Sequence, residues 1–250
     1  MPMTAPLTSV YAEYRPRLAP GRFVACTWTQ VNRGAREYRQ LVVPDGCSDL
    51  TWQDGAVRLV GPDRAAWRAP LAAGSAIAGV RLRPGAARIL LGRMPVEEVL
   101  GAQVPLESVT ADVALLTERL AATDSPQAAV RVLEEFVAAL APRYEPDAAV
   151  EQVLRMLRSG GMSPHVPALA DAVGLSERQL RRRFTEAVGY GPKTLHSILR
   201  FQHALDLGRS GAPGLAAIAY QAGYADQAHF AREVRRLAGV TPSELLGAGG

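Results

Sequence analysis

Two stretches of this chain follow one pattern. Gly174-Leu175-Ser176 is followed by an Arg-bearing amphipathic segment, and Gly223-Tyr224-Ala225, 49 positions further on, is followed by another. In the first copy Leu169, Ala170, Ala172 and Val173 form a short apolar helix that stops at Gly174, the residue type best suited to a left-handed helix end. A second helix then starts at Ser176, which with Gln179 three residues on makes a capping box. At helical spacing Leu180, Phe184 and Ala187 share one side, and Arg178, Arg181, Arg182 and Thr185 share the other. The second copy repeats this: Leu215, Ile218, Ala219 and Ala222 lead to Gly223, Asp226 is placed to cap, and Phe230, Val234 and Leu237 form the apolar stripe. Ala228, Arg232 and Arg235 fall outside that stripe.

A helix, a tight glycine-containing turn and a second helix make a helix-turn-helix, whose second helix enters the major groove of DNA. Arginine suits that position because its planar fork binds guanine O6 and N7 in a bidentate way and also clamps phosphate. The plain alternative for one copy alone is an amphipathic helix with a solvated Arg face. Duplication favours the first reading. Between the copies, Lys193 to Arg209 reads as one long helix with Leu195, Leu199, Ala204 and Leu207 as apolar positions, about 25 Å long at 1.5 Å per residue. Such a spacer holds two recognition helices near one DNA turn apart, about 34 Å.

A double helix-turn-helix joined by a long helix and ending in Gly239-Val240-Thr241-Pro242 resembles the AraC/XylS transcription regulators. The resemblance covers roughly Asp147 to Leu246. It rests on Leu169-Ala170 to Gly174-Leu175-Ser176, Leu180 to Phe184, Gly189 with Pro192, Ile218-Ala219 to Gly223-Tyr224, His229-Phe230 and the terminal Gly-x-Thr-Pro. Carried over by position, it implies base reading by Arg178, Arg181 and Arg182 on the first recognition helix and by Gln227, Ala228 and Arg232 on the second. Arg183, Lys193, Arg235 and Arg236 are then expected on phosphates. Ala228 offers only an apolar contact, so the second half is expected to read fewer bases or to depend more on DNA shape. Val234 and Leu245 stand where the family often has larger or aromatic residues. The partners so implied are double-stranded promoter DNA, with RNA polymerase as a second candidate; no cofactor is implied.

Composition bounds this reading. A chain of 250 residues with 48% hydrophobic content is long enough for two domains with real cores. The net charge of +4 suits an anionic partner, and from Gly160 onward ten Lys or Arg stand against seven Asp or Glu, so basic character must be focused on one face. No run of 18 or more apolar residues occurs, and the N-terminus lacks a basic-then-hydrophobic leader. A cytoplasmic protein with no membrane partner is expected. Cys26 and Cys47 are too few for a disulfide framework and are expected to be reduced.

The first half has a different texture. Short β-favouring runs broken by Gly, Pro and Asp mark strands at Arg22 to Gln30, Arg36 to Val43, Ser48 to Trp52, Val57 to Val60 and Ser75 to Leu82. After Pro84 the pattern turns helical, with candidates at Pro95 to Leu100, Asp112 to Ala121 and Pro126 to Leu140, the last capped by Ser125 with Pro126 in its first turn. Ala141-Pro142 to Pro146 reads as a linker and Gly160-Gly161 as a second hinge. The expected fold class is α+β: a β-rich sandwich or barrel-like domain with a helical extension over 1–145, then an all-α double helix-turn-helix domain over 146–250.

The first half also resembles a module of obscure function that precedes the DNA-binding unit in one branch of these regulators. The shared residues are Val43-Pro44-Asp45-Gly46-Cys47-Ser48-Asp49, Gly61-Pro62 and Gly79-Val80-Arg81-Leu82-Arg83-Pro84-Gly85-Ala86. The resemblance implies a sensor or dimerisation role. A pocket for a small effector, walled by Trp28, Trp52 and Trp67 with Arg81 and Arg83 as polar groups, is one reading of these residues; ordinary packing is the other. The helices from Asp112 to Leu140 offer a surface for a homodimer.

Three competing classes fare worse. A cupin-like metal enzyme needs ligands in the β region, yet His165, His196, His203 and His229 all lie in the second half. Asp45, Asp49 and Glu37 alone have no supporting spacing for an oxygen-rich site. A cysteine alkyl-transfer protein needs a thiolate cluster around zinc, and Cys47 has just one other cysteine. No Gly-x-Ser-x-Gly elbow or phosphate-binding Gly-Lys-Ser/Thr loop occurs, so neither a metal site nor a catalytic residue is expected. A helical protein-interaction module remains; salt separates it from DNA binding, because phosphate contacts weaken steeply as salt rises and an apolar interface does not.

Overall fold

The computed structural model describes residues 9–111, 113–159, 165–212 and 214–247. The chain is α+β, and among the described residues strands are confined to the first half. Strands β1 (Ser9–Tyr14), β2 (Val24–Asn32), β3 (Tyr38–Val42), β4 (Ser48–Gln53), β5 (Ala56–Val60), β6 (Trp67–Leu71), β7 (Ala76–Leu82) and β8 (Gln103–Pro105) pair throughout in antiparallel fashion. Six of them form one sheet in the order β1-β2-β7-β4-β5-β8, and β3 pairs with β6 in a second, two-stranded sheet.

Period-two alternation decides what each face of the larger sheet meets. Val24, Leu50, Val57, Leu59, Ala78, Val80 and Leu82 point into the main core of this half. That core is closed by α3 (Pro126–Leu140), whose buried stripe is Ala129, Val130, Leu133 and Val137. Ser125 caps α3 by accepting the Ala128 amide at 3.3 Å, with Pro126 in the first turn, as its sequence predicts. Glu134 lies on the same stripe. Its Oε1 is buried and accepts the backbone amides of Arg17, Leu18 and Ala19 at 2.5, 2.7 and 3.1 Å, so a charge inside the core is met by three donors. On the opposite face Trp28 and Ile77 pack against Leu71 of the smaller sheet. The short helices α1 (Arg88–Leu91) and α2 (Ala114–Ala121), with a 3-10 turn at Val96–Val99, complete the half. Asp112, the expected start of α2, lies outside the described residues.

From residue 148 the elements among the described residues are helices: α4 (Ala148–Arg158), α5 (Val166–Ala172), α6 (Glu177–Val188), α7 (Pro192–Arg209), α8 (Leu215–Gln221), α9 (Gln227–Ala238) and α10 (Pro242–Gly247). One apolar core runs through all of them, with Phe184, Phe201 and Phe230 fully buried in it. Each large apolar side chain so buried stabilises the fold by about 1.5–3 kcal/mol. The expected linker contains a 3-10 turn at Ala141–Arg143 and then extended chain to the cap of α4. The expected hinge at Gly160-Gly161 lies outside the described residues. Among the described residues, no helix is long and apolar enough to cross a membrane.

The halves touch along a seam. Gly46, at φ 82°, sits so close to the helical half that a Cβ there would come within 2.7 Å of Leu195 Cδ1. Beside it the Pro44 carbonyl accepts Gln202 Nε2 at 2.6 Å. Further along, the Ala66 amide donates to the Leu237 carbonyl at 2.7 Å, and Gly189 abuts Pro62, Val96 and Leu100.

Candidate nucleic-acid interface

The first unit is α5, the turn at Gly174 and α6. Gly174 takes φ 67°, the left-handed conformation that reverses the chain without a Cβ clash. Ser176 Oγ accepts the Gln179 amide at 3.3 Å while Gln179 Oε1 accepts the Ser176 amide at 3.0 Å, so both donors at the start of α6 are satisfied reciprocally. Leu180, Phe184, Ala187 and Val188 are buried. Arg178, Arg181 and Arg182 are exposed on the other face, which gathers three guanidinium groups within one and a half turns. Arg182 pairs with Glu186 one turn on at 3.2 Å. Among the described residues Arg178 and Arg181 form no ion pair.

The second unit is α8, the turn at Gly223 (φ 74°) and α9. Asp226 Oδ1 accepts the His229 amide at 2.6 Å and caps α9. Phe230, Val234 and Leu237 are fully buried, so Val234 fills its place in the core despite its size. Gln227, Ala228, Arg232 and Arg235 are exposed. The spacer is α7, 18 residues or about 27 Å long. Of the apolar positions read from the sequence, Leu195 and Ala204 are buried and Leu199 and Leu207 half-buried, and the helix also buries Ile198, Phe201 and Leu205.

Two of the four cations expected on phosphates are engaged within the protein. Arg183 Nε donates to Asp147 Oδ2 at 2.6 Å, and the other oxygen of Asp147 caps α4 through the amides of Ala149 and Val150. Burial alone would raise the Asp147 carboxyl; the Arg183 hydrogen bond and these amides outweigh it and hold the group below its usual range. Arg236 donates to both oxygens of Glu233 and to Ser197 Oγ. Lys193 and Arg235 are exposed, and among the described residues neither forms an ion pair.

Sequence reasoning missed Glu97. It stands on the 3-10 turn at Val96–Val99, which packs against α6. With Arg178, Arg181, Arg182 and Thr185, and with Glu177 and Glu186 of α6 itself, it lines a groove of about 540 Å³ on the Arg-bearing face of that helix. A second, smaller groove joins His165, Glu177, Arg181 and Lys193. No local pattern marks Glu97, because only the tertiary fold brings residue 97 to residues 178–185. The polar links of α7 to the second unit, through Ser197, Arg200 and Glu233, carry no local sequence signal for the same reason.

In the first half, the five residues considered as an effector pocket do not share one face. Trp28 faces Gly79 across the ladder, and a Cβ at Gly79 would lie 2.3 Å from the Trp28 ring. Glycine there lets the indole cross β7 and donate to Asp49 Oδ1 at 2.8 Å. Arg81 Nε donates to the same oxygen at 3.2 Å and lies 3.5 Å from Asp45. Burial lowers the Arg81 guanidinium and these two carboxylates more than restore it. Trp52, out of step with Asp49 along β4, packs into the core under α3 instead. Trp67 donates to Asp63 at 2.9 Å on the smaller sheet, and Arg83 donates to the Gly21 carbonyl at 2.8 Å at the surface.

Both cysteines are free. Burial pushes the Cys26 thiol up to about 12 and the Cys47 thiol well above its ordinary value, the reverse of an activated nucleophile. Among the described residues, no group of three or more His, Cys, Asp or Glu is arranged to hold a metal ion.

Two glycine-turned helix pairs, each presenting an Arg-bearing second helix and joined by a long spacer, define a DNA-binding protein of the double helix-turn-helix class. Residues 169–248 match a helix-turn-helix domain model, and residues 12–105 match a domain of unknown function. A probable AraC family transcriptional regulator from Rhodopseudomonas palustris CGA009 is 33% identical over 41% of this chain and 97% of its own, with a TM-score of 0.37. The chain belongs to the AraC family of transcriptional regulators. It is also similar to ToxT from Vibrio cholerae O395 bound to (E)-4-(8-methylnaphthalen-1-yl)but-3-enoic acid, at 14% identity over 96% of this chain and 99% of that one, with a TM-score of 0.45. Unsaturated fatty acid bound ToxT from Vibrio cholerae strain SCE256 gives 14% identity over 98% and 97%, with a TM-score of 0.43. No curated protein matches the chain.

Proposed function

We propose that this regulator binds promoter DNA sequence-specifically by placing α6 and α9 in successive major grooves, with 146–250 as the DNA-binding domain and 1–145 as a sensing and dimerising domain. The observation that carries the reading is the pair of capped helices whose buried stripes fix them to one core while Arg178, Arg181 and Arg232 stand exposed. In this reading Arg178, Arg181 and Arg182 read bases in one half-site, and Gln227, Ala228 and Arg232 in the other. Lys193 and Arg235 contact phosphates, while Arg183 and Arg236 brace the two recognition helices from behind.

The N-terminal domain supports a regulatory part through the loop before β4. Asp45 and Asp49 meet Arg81 there, while Pro44 and Gly46 of the same loop rest on α7 and its neighbours. A small effector that bound beside Trp28 and Arg81 would act on this loop. For dimerisation, α2 exposes Leu115 at 67%.

The test is selection of binding sequences from a random duplex library with the full-length protein at two salt concentrations. The expected result is a bipartite motif with halves about one helical turn apart and enrichment that weakens as salt rises. Enrichment of a single half would remove base reading from the other helix. Salt-insensitive binding without enrichment would overturn the proposal in favour of a protein-interaction module.

A further inference from the structure

We infer that Arg200 and Glu233 are positioning residues that fix the phase of the second recognition helix against the first, and so set which spacing between half-sites the protein accepts. The inference rests on the DNA-binding reading above and adds to it what determines the operator's geometry.

The two recognition helices are braced by different supports. Helix α6 is tied to α4 through Arg183 and Asp147. Helix α9 is tied to the spacer itself. Ser197 Oγ on α7 donates to Glu233 Oε2 at 2.6 Å. Arg236, one turn further along α9, donates through Nε to Glu233 Oε1 at 3.0 Å and through Nη2 to Oε2 at 2.9 Å, and also to Ser197 Oγ at 2.9 Å. One turn along α7 from Ser197, Arg200 reaches the turn of the same unit. Its Cζ lies 4.2 Å over the Tyr224 ring, and Nη1 approaches the Gly223 carbonyl at 3.4 Å. The spacer therefore grips the second unit on both sides of the residues that cap α9.

These contacts differ in kind from the core beneath them. Apolar packing between α7 and the second unit sets the angle between them only within about 15–20°. A carboxylate held in a bidentate pair and also bonded to a hydroxyl of the neighbouring helix accepts one orientation only. The Arg236 hydrogen bonds, together with that of Ser197, hold the Glu233 carboxyl down at about 2, so the clasp stays charged at neutral pH. Among the described residues, the buried Nε of Arg200 and the buried hydroxyl of Tyr224 have no hydrogen-bond partner within bonding geometry. Such groups cost stability, which the guanidinium stacked over the Tyr224 ring offsets in part. Polar groups kept at an interface for register are the best-attested use of such pairs. At the far end of α7 a Cβ at Gly208 would lie 2.6 Å from Leu246 of α10, so the spacer is seated closely along its length.

DNA makes that angle matter. Adding one base pair between half-sites moves the second by about 3.4 Å along the axis and by about a tenth of a turn around it. A rigid clasp accepts one spacing and a loosened clasp accepts its neighbours.

The experiment is parallel selection from one random duplex library with full-length wild type, Glu233→Gln and Arg200→Met, reading the bases within each half and the gap between halves, with thermal unfolding of each protein. The expected result is unchanged half-site motifs, a gap distribution broadened by one base pair on either side in both variants, and roughly fivefold to tenfold weaker binding at the wild-type gap. An unchanged gap distribution in both variants would overturn the inference. So would loss of the second half-site together with early unfolding, because the two residues would then merely hold the unit together. If wild type itself yields no bipartite motif, the DNA-reading proposal fails first and this inference falls with it.

Discussion

In the first helix-turn-helix unit, the recognition helix lies beside the N-terminal half, with Glu97 bordering the groove that Arg178 and Arg181 face. In the second, α9 presents Gln227, Ala228 and Arg232 to solvent, is gripped from behind by the spacer, and meets the N-terminal half at its last turn, where the Leu237 carbonyl accepts the Ala66 amide. One sequence pattern thus gives two environments. The glycine turns, the caps and the buried Phe184 and Phe230 correspond closely; what each unit leans on does not. The pattern within 20 residues builds a helix-turn-helix, and contacts from far along the chain decide how the Arg-bearing face of its second helix is exposed and aimed.

The largest expected effect probes what the units share. Phe184→Ala and Phe230→Ala each remove a fully buried ring and are expected to cost about 3–5 kcal/mol, measured by urea unfolding followed by circular dichroism. Because one core runs from α4 to α10, each variant should lower one common transition of the helical half. A Phe230→Ala protein in which α8 and α9 melt ahead of the rest would show the units to be independent bodies.

Next come the reading faces. Arg181→Ala and Arg232→Ala are each expected to lose about 1–3 kcal/mol of discrimination at particular bases if the contact is bidentate. The two should act on opposite half-sites. Binding arrays over single-base variants of the selected operator give the check; unchanged sequence preference in both would break the assignment of α6 and α9 as readers.

The neighbours of the first unit should show in a smaller effect. Glu97 adds negative charge where a phosphate backbone would pass, so Glu97→Gln is expected to tighten binding by roughly 1 kcal/mol at low salt. Fluorescence anisotropy on half-site duplexes would locate the gain in the first half alone. Equal gain on both halves, or none, would remove Glu97 from the description of the reading face.

Much of this was legible in the sequence, and the omissions have physical causes. The two turns, the capping box at Ser176 and the buried stripes of α6 and α9 depend on residues a few positions apart, and so does the Ser125 cap. Strand signals at Ser48 to Trp52 and Ser75 to Leu82 nearly coincide with β4 and β7, which are rich in apolar and β-branched residues. Strand β6 was not read because Trp-Arg-Ala-Pro-Leu carries a proline, tolerated here because the second sheet has just two strands and so every strand is an edge. Strands β1 and β8 lie at the rims of the large sheet, and β8 is three residues long. In the candidate pocket, five side chains chosen by type alone include Trp52, which alternation along β4 sends to the opposite face from Asp49. The engagement of Arg183 with Asp147 and of Arg236 with Ser197 joins residues 36 and 39 positions apart, a juxtaposition that no local pattern encodes.

Each unit holds one clamped carboxylate, and acid offers the finest test of their difference. Asp147 and Glu233 both lie below their ordinary values of 3.8 and 4.5 in the folded protein, Glu233 at about 2. A carboxyl depressed by folding stabilises the native state above its ordinary value, and that contribution disappears as pH falls through the folded value. The melting temperature of Glu233→Gln should therefore lie below that of wild type above pH 5, and the gap should close as the pH is lowered from about 4.5 toward about 2. Asp147→Asn should behave in the same direction, with a second difference: its loss releases Arg183 behind the first recognition helix and should leave the half-site gap preference intact. A gap in melting temperature that stays constant with pH would mean that Glu233 acts through packing and not through its charge, and the contrast between an aimed second unit and a flanked first one would then rest on Arg200 alone.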